Sequence, residues 1–146
     1  MDYRKLGDAW YIRMDKGDNI VAGILDLCRR EGIASATYTG IGGCQSAEIQ
    51  TFIPERGEFE TEALTGMLEL VSLIGNVISD EAGKLYHHTH AQFAYVRDGQ
   101  HCVRAGHLKE TTVLYTGEIV LRPVEGGVIR RKFNPETGTG IWDFGE

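Results

Sequence analysis

Positive charge is scarce in this 146-residue chain: 15 Lys and Arg stand against 21 Asp and Glu, a formal net charge of -6. A surface built throughout for nucleic acid is thereby excluded, because such binding rests on neutralising phosphates with Lys and Arg. The one basic run, Arg130-Arg131-Lys132, reads as a solvated strand end. Cysteine is equally sparse. Cys28, Cys44 and Cys102 form an odd set without close spacing, which excludes a disulfide framework and a Cys-x-x-Cys zinc site and fits a reducing compartment. No stretch approaches the ~20 apolar residues of a membrane helix, and the opening MDYRKLGDAWYIR lacks the apolar segment of a signal peptide. A cytoplasmic protein without a membrane partner is expected. There is no internal repeat, low-complexity segment or linker. The glycine-rich run Thr39–Gly43 has no Gly-Lys-Ser/Thr after it and completes no dinucleotide fingerprint, so it reads as tight turning or close backbone packing after a strand. No nucleophile elbow is visible.

What is present is ordinary for a globular protein: 42% hydrophobic and 25% charged residues. The length suits one domain spanning residues 1–146, able to bury roughly 68–70% of its unfolded surface. Ala9–Met14 reads as a strand, and Asp15-Lys16-Gly17 as a turn. Asp18 is placed to cap a helix running to about Glu31, whose Ile20, Val21, Ile24, Leu25, Leu27 and Cys28 share one face. Arg29 and Arg30 suit the end of the helix dipole, and Gly32 is a C-terminal stop. A strand at Ile33–Thr39 completes a crossover unit, so the two strands are expected parallel within one sheet. Ser46–Ile53, Phe59–Thr65, Met67–Ile78, Tyr86–Arg97, Thr112–Val124 and Val128–Phe133 read as further strands joined by short turns, the pattern of antiparallel hairpins. One helix and about eight strands predict an α+β fold, with the main helix packed on a mixed, mainly antiparallel sheet. Met67–Ile78 is apolar on both alternating faces, the pattern of a central strand covered on both sides. The tail Asn134–Phe144 is expected to be a loop whose Ile141, Trp142 and Phe144 dock on the core.

The histidines carry the chemistry. Three of the five crowd into YHHTHAQF, residues 86–93. On a strand, His88 and His90 share a face, and His87 points the other way into a structural role. Asp98-Gly99 is a two-residue hairpin signal of type I′. With that loop, Arg97 faces Gln100, and counting back along both strands brings His107 opposite His90, with Cβ atoms about 4.5–5.5 Å apart. His88, His90 and His107 then converge from two strands. Three neutral imidazoles with an open position suit a divalent transition metal, with zinc first; nickel, iron, copper or manganese would also fit. His101 has the parity of His107 but stands about 20 Å along the strand, too far to ligate. Glu69 and Glu118 lie inside apolar strand sequences. They read as a salt bridge or an exposed edge position, or else as an acid/base group or a partner to a metal-bound imidazole.

These residues together resemble the PPC (plants-and-prokaryotes conserved) domain, also called the PD-one-like DNA-binding domain. The opening strand and helix, TGIGG at 39–43, LELVSLIGNV at 68–77, HHTHA at 87–91, AGHL at 105–108 and GEIVL at 117–121 carry the likeness through most of the chain. Usual members have Gly-Gly-His-Leu where this chain has Ala105-Gly106-His107-Leu108. The resemblance implies a compact α/β unit around an antiparallel sheet, a homotrimer, and a metal site formed by the residues matched here by His88, His90 and His107. In plant relatives the domain accompanies an Arg-Gly-Arg-Pro hook for A·T-rich DNA and serves oligomerisation and partner binding; this chain contains no such sequence. Three functions follow as alternatives: a trimeric metal-binding sensor or enzyme, a DNA-associated regulator, or a protein–protein interaction module. No reaction class and no organic cofactor is implied.

Overall fold

The computed structural model describes residues 1–145. Eight strands and one helix follow in the order β1 (Asp2–Leu6), β2 (Ala9–Met14), α1 (Ile20–Arg30), β3 (Ala36–Ile53), β4 (Glu58–Ser79), β5 (Leu85–Arg97), β6 (Gln100–Pro123), β7 (Arg130–Asn134) and β8 (Thr139–Asp143). The molecule is therefore mainly β, and α+β describes it only approximately. Helix α1 buries Ile20, Val21, Ile24, Leu27 and Cys28, the face its spacing predicts. Its cap is Asn19 rather than Asp18: the Asn19 side chain accepts the Ala22 N–H, while Asp18 accepts the Asp15 N–H and so closes the preceding turn. Glu31 caps the other end, and Gly32 follows with a left-handed φ of 66°.

The sheet runs β1-β2-β6-β3-β4-β7-β8, with β5 pairing both β4 and β6. Strands β3, β4, β5 and β6 thus form a closed circuit of antiparallel pairs, each strand hydrogen-bonded to two of the others. Strands β2 and β3 both run antiparallel to β6 and flank it, so they are parallel to one another, as the crossover required. Phe93, Leu68, Leu70, Val113 and Leu121 lie in the core together with the apolar face of α1.

Several strands are longer than their sequence suggests. Phe59–Thr65 and Met67–Ile78 are one strand, β4, continuous through Gly66. Residues 39–43 are no turn but the middle of β3, where the ladders to β4 and β6 are irregular. Here glycine serves close approach: a Cβ on Gly42 would stand 2.5 Å from the Thr116 carbonyl oxygen and 3.0 Å from Gly117 Cα. Both obstacles are backbone and cannot rotate away. Gly42→Ala is expected to lower stability by about 1–3 kcal/mol, as overpacking does. Urea unfolding checks it; an unchanged midpoint would show that β3 and β6 part freely.

Two further expectations are corrected. The tail is not a loop docked on the core but the β7–β8 hairpin, in which Ile141, Trp142 and Phe144 stay 41%, 44% and 73% exposed. Strand β4 is central, but over Met67–Ile74 only one of its faces is covered in the single chain, whereas at its end Val77, Ile78 and Ser79 are all buried. A register shift in its pairing with β5 between Leu70 and Ser72 sends Leu68, Leu70 and Leu73 inward and leaves Met67, Val71 and Ile74 exposed.

Candidate metal centre

The β5–β6 hairpin builds the site. Asp98 and Gly99 have φ values of 52° and 75°, the two positive angles that a type I′ turn requires. Register follows from that turn: Arg97 pairs with Gln100 and His90 with His107. His88 lies two residues before His90 on the same face. One ring nitrogen from each of His88, His90 and His107 lies within 4.8 Å of the others. The rings of His90 and His107 are 4.3 Å apart between centroids, and His88 stacks on His107 at 5.2 Å.

Electrostatics favour the neutral, ligating form of His88 and His107. Partial burial lowers the pKa of His88, and the neighbouring His90 lowers it further. The same causes act on His107, first its desolvation and then His90 and His88. An imidazole held neutral keeps a lone pair free for a cation. Three converging nitrogen donors with modest side-chain adjustment thus fit a divalent transition ion, with metal–nitrogen distances of about 2.0–2.1 Å for zinc.

Neighbouring strands support the triad. Gly106 lets β6 approach β3, since a Cβ there would stand 2.8 Å from the Gln50 carbonyl oxygen. His107 is thereby held between Gln50 and His90 in the two ladders. Phe59 meets the His107 ring edge-on at 5.3 Å and is itself met by Phe52 at 5.3 Å, contacts that restrict the ring. His87 takes the other face. Its Nδ1 shares a 2.8 Å hydrogen bond with Thr89 Oγ1, which also bonds the buried Tyr38 hydroxyl, so His87 belongs to the fold rather than the triad. His101 pairs with Val96, well along the hairpin from His107.

Glu69 and Glu118 are not buried; both are exposed. They line a separate cleft of about 510 Å³ with Ile41, Met67 and Tyr115. Glu69 faces Gly43, and Glu118 faces Ile41. Glu69 lies five residues along β4 from Ile74, the partner of His90, or roughly 15 Å at strand rise. The structure therefore brings neither carboxylate to the imidazoles. Cys28 is inert packing: burial pushes its thiol up to about 12.

The profile of the Plants and Prokaryotes Conserved (PCC) domain, also abbreviated PPC, matches residues 1–125. The chain belongs to this family. Solved structures agree with it over nearly the whole PPC chain. A plant- and prokaryote-conserved protein of Pyrococcus horikoshii shares 32% identity at a TM-score of 0.81, covering 97% of this chain and 94% of its own. A metal-containing protein of Archaeoglobus fulgidus shares 29% at 0.81, covering 97% and 98%. A candidate DNA-binding protein of Bacteroides thetaiotaomicron shares 26% at 0.87, covering 98% and 96%. No curated protein matches this sequence.

Besides Phe59, two residues beside the triad escaped sequence reasoning. Asn76 is the one amide within the apolar run of β4, and the ladder sets it opposite His88. Trp142, expected on the core, instead lines a cleft with His88 and His90. The polar interruption at Asn76 was a signal; Trp142 carried none, because its position depends on how the C-terminal hairpin joins β4.

Proposed function

We propose that this PPC domain is a metal-binding protein that holds one divalent transition ion, zinc foremost, on His88, His90 and His107 and works as a homotrimer. The convergence of three imidazole nitrogens within 4.8 Å supports the reading most directly, and the solved relative described as metal-containing agrees with it. A bound ion with an open position would polarise an oxygen donor or activate a water. His88 and His90 from one strand and His107 from the next would hold it, and Phe59 would keep the His107 ring in place. Elemental analysis of untagged protein tests the proposal. One equivalent of metal per chain is the expected result, and substoichiometric metal after exposure to excess zinc would overturn it.

DNA is the second reading, since solved relatives carry a DNA-binding description. The basic run argues against it as the main one. Arg131 stacks its guanidinium 4.6 Å from the Tyr86 ring centroid, and Arg130 donates to the Asp80 carbonyl, so these cations tie the C-terminal hairpin to the sheet. With a net charge of -6, the protein is expected to show no specific DNA affinity in the range of about 10⁻⁸–10⁻¹¹ M at physiological salt. A salt-dependent titration against random and A·T-rich duplexes checks this, and a clear sequence preference within that range would restore the DNA reading.

A further inference from the structure

The ladders of β3, β4 and β5 place side chains beside the histidines in two rows. Thr37, Asn76 and His88 form one row, and Thr39, Ile74 and His90 form the next. Between these rows and Trp142 lies a cleft of about 320 Å³, within the usual size range for a small-molecule site. Trp142 keeps 44% of its surface exposed, although its hairpin is anchored through Arg130 and Arg131. Strand β8 also lies beyond residues 1–125, so the aromatic wall is added to the part of the chain that the family profile matches.

We propose that this cleft is a ligand site beside the metal, for a small planar aromatic compound that offers an oxygen donor to the ion. The ring would lie against Trp142 and Ile74, an apolar environment at one end of the cleft. The polar end would reach the open metal position between His88 and His90. This inference rests on the metal reading of the triad.

Two hydroxamates serve as probes: benzohydroxamate has the ring, the oxygens and the N–H, and acetohydroxamate lacks only the ring. Zinc-loaded full-length protein is first analysed for metal and then titrated with each probe by calorimetry. Benzohydroxamate is expected to bind about tenfold more tightly, the scale of one good aromatic contact with its burial. Trp142→Ala should keep one zinc per chain and lose that preference, while Trp142→Phe keeps most of it. Equal affinity of the two probes for the wild type, or a preference that survives in Trp142→Ala, would overturn the cleft and leave the metal site standing. A chain that takes up no zinc would overturn both.

Discussion

His107→Ala is expected to weaken metal binding by more than about 100-fold, since even changes to the hydrogen-bond partners of metal ligands cost 10–100-fold. His101→Ala should leave it nearly intact. Both residues sit on β6 and both are histidines, so the pair separates ligation from general charge or surface effects. The difference lies in register. His107 stands opposite His90, whereas His101 stands opposite Val96 near the turn. Proton competition adds a pH signature. His88 and His107 have pKa values lowered by burial and by neighbouring rings. A lowered imidazole pKa means the neutral form persists to lower pH. Affinity should therefore fall as acid protonates the ligands, with the share carried by His88 and His107 persisting to lower pH than for free imidazoles, whose pKa is roughly 6.5. Metal stoichiometry of wild type and both variants at neutral and mildly acidic pH measures all of this. Equal loss in the two variants, or none in either, would sink the assignment.

Light scattering should give three times the 16.2 kDa subunit mass for the wild type, and one subunit mass for the double variant Ile41→Asp/Val71→Asp. The motive is the open face of the sheet. Tyr11, Ile41, Val71 and Ile74 remain 46%, 56%, 50% and 60% exposed, and they line one cleft of about 810 Å³ across β2, β3 and β4. Contiguous apolar surface of this kind marks an association site, and a second copy of the chain is the occupant proposed here. Two carboxylates placed there would lose water on association without gaining a partner, a cost of several kcal/mol per contact. Neither side chain is in the core, so strand content by circular dichroism should not change. A wild-type monomer at micromolar concentration would reject the trimer. Ile74 also borders the cleft beside the histidines, so that cleft lies at the margin of the proposed contact.

The parts legible from sequence share a physical property: they depend on short-range rules. Helix α1 shows its buried face through a 3.6-residue period that its own backbone imposes. The β5–β6 register follows from two residues, because the tight turn at Asp98-Gly99 needs two positive φ angles and then alternation of period two does the rest. His90 facing His107 was legible for that reason, and His88 with it. Everything decided by strands far apart in the chain was not. Asp18 and Asn19 are both good caps, and the tertiary turn around Asp15 chose between them. The glycines at 39–43 look like a turn locally. They form a strand because β6 passes so close that no Cβ fits at Gly42. Met67–Ile78 looks covered on both sides, but which neighbour covers each face is a property of the assembled sheet, and an irregular step beside Leu70 sorts its side chains. The carboxylates of Glu69 and Glu118 look buried within apolar runs and point outward for the same reason. Three histidines are thus brought together by one hairpin, which local chemistry determines. Phe59, Asn76 and Trp142 reach them only when long-range pairing sets β4 beside β5 and anchors β7–β8 to the sheet, and side-chain periodicity carries no information about such contacts.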